Sequence, residues 1–455
     1  MKALLLSSIL LCLPLASFAQ NKQQKGSKLI PYDQFVDDLP NGLRVVTVPT
    51  DYPNLVAFYV VVQTGSRNEV EPGKSGYAHF FEHLMFRGSK NYTSQQRDEI
   101  LKRAGSKSNA NTSDDRTVYY DIISKEDLDQ VLKLESDRFK GLQYSEGGFK
   151  TEALAILGEY NKNISNPTTK LDEVARNTAF TTHTYTHTTL GFLKDIQDMP
   201  NQYKYSIEFY NRYYRPEYTT IVMVGDIKRD QSLQLVNKYF SDWQRGNYKP
   251  DVPAEPAQKE PKTNHVEWDS ETLPYLSISF HGPAYSDTNK DKAALDLLAP
   301  IAFGQNSELY QKLVLQEQKV DFLSDDFADR VDPELFSVVA RIKNPADLDY
   351  VKAQILATFK RYSTELVPQE KLDATRSRQR YGTSLALDSS EAIARFLAEY
   401  IALTRSPATV DKLFALYDTI TPEDIRNAAA KYFVDNSRTI VTLSHGGGAS
   451  KGGQK

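Results

Sequence analysis

The chain has 455 residues, 40% of them hydrophobic and 25% charged, with a formal net charge of −4. It is too long for one ordinary core and too evenly charged to suggest nucleic-acid binding, so two or more folded units are expected. The single cysteine, Cys12, rules out an intrachain disulfide framework.

The first residues read as a secretory signal peptide over 1–19: Lys2, an apolar run from Ala3 to Ala16, then Ser17-Phe18-Ala19 before Gln20. The run is too short to span a membrane and no other stretch approaches the needed length, so no membrane anchor is expected. Leu11 precedes Cys12 where a lipoprotein signal carries a small residue, which argues against a lipid anchor. Export to the periplasm, with the cysteine removed along with the signal, is the expectation. Residues 20–28 are polar and read as a disordered leader.

Gly42–Val48 and Asn54–Thr64 are rich in β-branched and aromatic residues and read as strands, parted by the turn signal Asp51-Tyr52-Pro53-Asn54. Gly65–Gly76 is a loop leading into Tyr77–Phe86, a stretch apolar on nearly every face, as in a helix buried all round. Its ionisable residues are His79, Glu82 and His83. Positions i, i+3 and i+4 share one helix face. Burying two imidazoles and a carboxylate there without partners would be costly, and a metal ion would satisfy all three. Two neutral imidazoles at i, i+4 can hold Zn²⁺ at roughly 2.0–2.1 Å, leaving places for a third protein ligand and a water. The carboxylate between them, Glu82, is placed to take a proton from that water. The order His-x-x-Glu-His is that of the inverted zinc peptidase motif. The competing reading is a pair of hydrogen-bonded core histidines, and the context of the motif decides against it.

Further along, Ser94–Ala104 reads as a surface helix capped by Thr93 or Ser94, and Gly105–Asp115 as a turn-rich polar stretch before a strand at Thr117–Ile123. Glu126–Leu142 and Gly147–Asn161 have helical patterns; Glu152 and Glu159 lie two turns apart on one face of the second. His183 and His187 are also four apart, but their surroundings are Thr-rich, no glutamate completes a set, and no metal is expected there. Tyr205–Tyr214 is helical and Thr219–Val224 a strand. Tyr248–Asn264 carries four prolines among Lys and Glu and reads as a linker. Beyond it come strands at Tyr275–His281, Leu335–Ile342 and Thr439–Leu443, with helices over Lys292–Phe303, Ser307–Gln316, Asp347–Ser363, Glu391–Thr404, Ala408–Leu416 and Pro422–Tyr432. The Gly-rich end, 446–455, reads as a flexible tail.

A duplication is visible in the sequence. Asp127-Leu128-Asp129-x-Val131 reappears as Asp347-Leu348-Asp349-x-Val351, displaced by 220, and Tyr213 with Thr220-Ile221-Val222 reappears as Tyr432 with Thr439-Ile440-Val441, displaced by 219. A near-constant offset over separate segments marks a repeated unit. The expected domains are therefore 29–247, with the histidine pair, and 265–445, whose Ala293–Phe303 segment holds no histidine, joined by the linker 248–264. Strands and helices mix without strict alternation, which makes the class α+β.

With these residues in hand, the chain resembles the zinc peptidases of the pitrilysin/insulinase type, family M16, and among them the half-length members akin to mitochondrial processing peptidase subunits. The resemblance rests on His79-Phe80-Phe81-Glu82-His83 and covers nearly the whole mature chain. It implies two duplicated mixed α/β halves enclosing a cavity, with one zinc per chain on the wall of the first. It also implies Glu159 as the third ligand, Glu152 as a supporting outer carboxylate, and Glu82 as the catalytic base. Asn109-Ala110-x-Thr112 before Thr117-x-Tyr119-Tyr120 resembles the family's edge strand, implying that Asn109, Ala110 and Thr112 align the peptide substrate by β-augmentation. The segment from Phe209-Tyr210 to Pro216, then Val224-Gly225-Asp226, resembles the end of the family's first domain.

One departure carries information. The family's arginine and tyrosine that grip the substrate carbonyl would fall near Val314 and near Asp321 or Phe322, and neither residue type stands there. The expectation is a zinc-bearing subunit of a two-subunit endopeptidase, whose zinc-less M16-like partner supplies that pair; a homodimer is the alternative assembly. A non-catalytic binding or assembly subunit of the same fold is the rival reading, and a zinc hydrolase of non-peptide substrates a weaker one. Asn91-Tyr92-Thr93, Asn111-Thr112-Ser113 and Asn163-Ile164-Ser165 fit the glycosylation pattern, which matters only in a eukaryotic secretory pathway.

Overall fold

Two mixed sheets with the same topology organise the chain, in a computed structural model that describes residues 28–446. The expected signal peptide, all of the leader but Lys28, and the tail beyond Gly446 lie outside the described residues. The first sheet is built from β1 (Phe35–Asp38), β2 (Arg44–Pro49), β3 (Leu55–Val62), β4 (Lys107–Thr112), β5 (Thr117–Ser124) and β6 (Thr219–Gly225), in the order β1-β2-β6-β3-β5-β4. The second holds β7 (Lys262–Trp268), β8 (Tyr275–His281), β9 (Val320–Asp326), β10 (Leu335–Ile342) and β11 (Arg438–His445), in the order β7-β11-β8-β10-β9. Leaving out β1, the two orders correspond strand for strand. Each sheet has one parallel pair, β2 with β6 and β7 with β11, and is otherwise antiparallel. The α+β class and the duplication thus appear directly in the topology.

The central strands β3 and β6 read Leu-Val-Ala-Phe-Tyr-Val-Val-Val and Thr-Thr-Ile-Val-Met-Val-Gly and are buried along nearly their whole length. Such unbroken apolar strands need cover on both faces. One face receives Tyr77, Phe80, Phe81 and Leu84 together with Phe209 and Tyr213, all from the same half. The other face, with Val46, Val48, Ala57, Tyr59, Val61, Val222 and Val224, is covered from the second half, where the helix Ser390–Thr404 packs on β3 and β6. The exchange is reciprocal: the helix Pro167–Ala179 of the first half lies on β7, β8 and β11, with Leu171 and Ala175 against Val266, Tyr275, Val441 and Leu443. At the end of the Ser390–Thr404 helix, Arg405 sits in the left-handed region and donates to three carbonyls of the first half, those of Glu217, Gly42 and Thr219.

The halves enclose a cavity of about 270 Å³ lined by Asp115, Arg116, Asp329, Arg330, Glu399 and Tyr400 among others. The histidines open onto a separate groove lined by residues of the first half. Three readings of the sequence change. The stretch taken as a polar turn, Gly105–Asp115, contains strand β4, and β7 begins at Lys262, inside the expected linker. Both strands lie at sheet edges, where one row of backbone groups faces solvent and polar side chains guard it, so their sequences lack the apolar alternation of a central strand. The expected helix over Ser307–Gln316 is one short α-turn, Glu308–Tyr310, continued by wider π-type turns over Gln311–Gln316.

Among the described residues no helix is long and apolar enough to cross a membrane. The chain carries two tryptophans, and Trp243 and Trp268 fall one in each half. Because Arg405 satisfies three carbonyls across the junction, Arg405→Met is expected to lower stability by roughly 2–4 kcal/mol. Urea unfolding read separately through Trp243 and Trp268, using W268F and W243F backgrounds, should show one coincident transition that moves as a unit.

Candidate metal centre

The helix Tyr77–Leu84 is pinned by its surroundings at both levels, packing and backbone. Phe80 stacks edge-on against Phe149, and Phe81 lies parallel to Phe209 at 5.2 Å between ring centroids. At its N-terminus Gly76 takes φ +89, and a Cβ there would meet the Leu190 carbonyl at 2.9 Å, so glycine is required on both counts. No residue of the helix caps it. The carboxylate of Glu69, wholly buried, reaches in from the preceding loop and accepts the N–H groups of Gly76 and Ala78, each at 2.6 Å. Burial pushes this carboxyl well up from its usual range, against the pull of those two hydrogen bonds.

On this fixed helix the imidazoles of His79 and His83 stand edge to face, 4.9 Å between centroids. Glu159, from the helix Glu146–Ile164, meets both: Oε1 lies 3.7 Å from His79 Nε2 and Oε2 3.5 Å from His83 Nε2. One donor atom from each of the three residues falls within 4.8 Å of the others. His83 Nδ1 donates to Glu152 Oε1 at 3.0 Å, which leaves its Nε2 lone pair directed at Glu159. Glu152 is itself buried and ion-paired with Arg87. Asn163 donates to Glu159 Oε1 at 3.4 Å. The sequence reading missed Asn163, although it stands one turn beyond Glu159 on the same face.

The donor set fits a metal ion on the structure's own evidence. His79 is buried, its Nδ1 has no hydrogen-bond partner among the described residues, and its Nε2 lies beyond hydrogen-bonding distance of Glu159. Two imidazole nitrogens and a carboxylate oxygen are thus gathered at separations too long for hydrogen bonding to satisfy His79, an arrangement that a cation between them relieves. Two nitrogens and one oxygen are a set suited to zinc with a position left for water.

The electrostatics agree. Burial lowers His79 to about 4, keeping it neutral. His83 is raised from the ordinary histidine value, chiefly by its hydrogen bond to Glu152. Glu82 is raised by burial, opposed by a hydrogen bond from Thr112 Oγ1 to its Oε2 at 2.5 Å and by His83.

The edge strand β4 runs beside this cluster. Ala110, Asn111 and Thr112 line the same groove as His79, Glu82 and Glu159, and β4 has β5 as its one strand neighbour. Asn109 is exposed on the strand and outside the groove lining. His183 and His187 stand apart from the cluster: His183 Nδ1 accepts the Tyr185 N–H and its Nε2 donates to Asp332, while His187 is buried with Nδ1 bonded to the Thr188 carbonyl. In the second half, Val314 packs against the core, Phe322 is exposed, and Asp321 pairs with Arg341, which also donates to the Tyr275 hydroxyl at 3.3 Å, so neither aligned position holds an arginine or a tyrosine.

Comparison with known proteins follows the same lines. Residues 44–191 match the family model described as Insulinase (Peptidase family M16), and residues 202–379 the one described as Peptidase M16 inactive domain. The chain is 30% identical over 413 residues to the zinc protease PqqE of Helicobacter pylori, covering 89% of this chain and 91% of that protein. A crystal structure of a protease from Helicobacter pylori superposes with a TM-score of 0.84 at 28% identity, covering 91% of this chain and all of that one. The periplasmic protease PqqL of Escherichia coli shares the fold, with a TM-score of 0.72 at 20% identity, and this chain spans 48% of it. Fold and site together define a metallopeptidase scaffold of half length, and the chain belongs to peptidase family M16.

The Glu152–His83 hydrogen bond has a measurable consequence. It contributes stability in full below the unfolded histidine pKa and loses it as pH rises through the raised folded value. In protein stripped of metal, ring resonances in ¹H–¹³C NMR should show His79 titrating near 4 and His83 above the ordinary histidine value. Glu152→Gln should bring the His83 midpoint down; a midpoint that stays put would break the link between the two residues.

Proposed function

We propose that this protein is a zinc-dependent endopeptidase of the periplasm, acting on peptides or short unfolded segments as the zinc-bearing subunit of a two-subunit enzyme. The observation that carries the proposal is the convergence of His79, His83 and Glu159 on one point beside the Glu82 carboxylate. His79 and His83, both through Nε2, and Glu159 would hold one zinc ion, with Glu152 fixing the His83 tautomer from outside. When bound, zinc supplies positive charge for a scissile carbonyl and makes a water more acidic. Glu82 would take a proton from the attacking water on its carboxylate and pass it to the leaving amine, a shuttle suited to a carboxyl raised by burial. β4, unpaired along its outer edge, lets an extended peptide add as a further strand beside Ala110 and Thr112, with Asn109 in the middle of that strand.

The partner follows from what the second half lacks. With Val314 in the core and Asp321 tied to Arg341, the developing oxyanion has no arginine or tyrosine from this chain in the family's usual place. The double length of PqqL, which this chain half covers, supports a second copy of the fold completing the site. The protein alone, loaded with zinc, should cleave peptides poorly, and adding a zinc-less M16-like partner that bears the pair should raise kcat/KM by on the order of a hundredfold or more. High activity in the isolated, monomeric protein would overturn the two-subunit assignment.

A second reading, an M16-fold subunit that binds without catalysis, draws support from the inactive-domain match over residues 202–379, although that match excludes all four residues of the zinc cluster and its base. Glu82→Gln separates the two readings. It should keep its zinc by metal analysis and lose hydrolysis by a factor of about 10³ or more; undiminished cleavage would remove Glu82 from its role. Export is supported by the N-terminal pattern Lys2, Ala3–Ala16 and Ser17-Phe18-Ala19.

A further inference from the structure

The turn joining β4 to β5, Ser113–Arg116, is held by more long-range polar contacts than a surface turn requires. The Asp114 carboxylate is buried and accepts from Ser66 Oγ at 2.9 Å, from Arg330 Nε at 2.7 Å, and from Arg176 Nη1 and Nη2 at 3.4 and 3.5 Å. Its carbonyl accepts the Arg67 N–H at 2.8 Å. The neighbouring Asp115 accepts the Tyr185 hydroxyl at 2.7 Å and the Val331 N–H at 3.0 Å. Gly65 lies so close beneath that a Cβ there would meet the Ser113 carbonyl at 2.2 Å.

Two of these tethers, Arg330 and Val331, come from the β9–β10 connection of the second half. The residue entering the turn is Thr112, whose hydroxyl holds the Glu82 carboxylate. β4 is paired on one side only, by β5, and the turn that joins the two strands is the point where β4 ends and from which the Thr112 hydroxyl is positioned.

We infer that Arg330 of the C-terminal half is a positioning residue for the reaction centre of the N-terminal half: through Asp114 it fixes the β4–β5 turn, and through the turn it holds Thr112 against Glu82. The inference rests on the proposed peptidase reading for its catalytic consequence, but its structural claim stands apart. It gives the second half, where no cluster of metal-binding side chains stands among the described residues, a part in the reaction within the same chain. A guanidinium suits the task, since one rigid plane carries both the Nε–H donated to Asp114 and the Nη1–H donated to the Asp329 carbonyl at 3.2 Å, fixing direction where an ammonium fixes only distance.

The test uses the full chain, with the assay supplemented by a zinc-less M16-like partner. Arg330→Lys keeps the charge opposite Asp114 and loses the planar guanidinium that ties Asp114 to the Asp329 carbonyl, avoiding a buried carboxylate stripped of one counter-ion. It should lower kcat roughly ten- to a hundredfold, with KM, zinc content and far-UV CD unchanged. Thr112→Val should lower kcat similarly and Thr112→Ser should largely restore it. The double variant R330K/T112V should be no worse than the more impaired single one. Losses that multiply, a change confined to KM, or full activity in R330K would overturn the inference. Amide hydrogen exchange supplies a reading independent of catalysis: peptides covering 107–116 should exchange faster in R330K while 77–84 stays protected. Unchanged exchange at 107–116 overturns the positioning role even if no substrate is ever cleaved, whereas a wild-type protein that cleaves nothing while R330K loosens β4 overturns only the peptidase reading.

Discussion

Three lone-pair donors can be kept within a few ångströms of one another only if the helix carrying two of them can neither turn nor slide. In this protein that constraint is met from outside the helix. Glu69 occupies the free N–H groups at its start, a glycine in the left-handed region brings the chain in under the Leu190 carbonyl, and aromatic rings close around Phe80 and Phe81. The cost is a carboxylate buried away from water, which its two short hydrogen bonds and the positive end of the helix offset. Everything that concerns chemistry, from the direction of the His83 lone pair to the reach of Glu159, depends on that anchoring.

The second half offers a natural comparison. Its helix Lys290–Ala302 follows β8 and precedes the edge strand β9, as Tyr77–Leu84 follows β3 and precedes β4. Where the first helix carries two histidines four residues apart, this one carries Lys292 and Asp296 at the same spacing, and Asp296 precedes β9 by as many positions as His83 precedes β4. Lys292 is buried, with its ammonium 2.5 Å from Asp296 and 2.7 Å from Asp329. One copy of the fold thus presents converging electron pairs that call for an external cation, while the other supplies its positive charge from within the chain and is closed.

Much of this was legible beforehand, and each exception has a physical cause. Helical spacing alone put His79, Glu82 and His83 on one face, and the repeated Asp-Leu-Asp motif announced two copies whose strand orders indeed match. Glu152 and Glu159 could be placed on one helix face, but their approach to the histidines came from a family resemblance, because contacts between distant helices leave no trace in local periodicity. Strands β4 and β7 escaped notice because an edge strand is polar where it meets water. Glu69, Arg330 and Asp114 were invisible for a further reason: each looks like an ordinary loop charge until the tertiary structure buries it. The exchanged helices Pro167–Ala179 and Ser390–Thr404 could not be assigned to the opposite half, since an apolar face in the sequence does not say which sheet it will cover.

That exchange bears on what happens when the chain is cut. A protease nicking the extended segment before β7 would sever the covalent joint, yet each fragment would still hold a helix lodged on the other's sheet. The pieces would travel together as an interlocked pair, and neither, made separately, could cover both faces of its own sheet. The genetic unit of this fold is the pair, and a lone copy would meet water with a bare apolar flank.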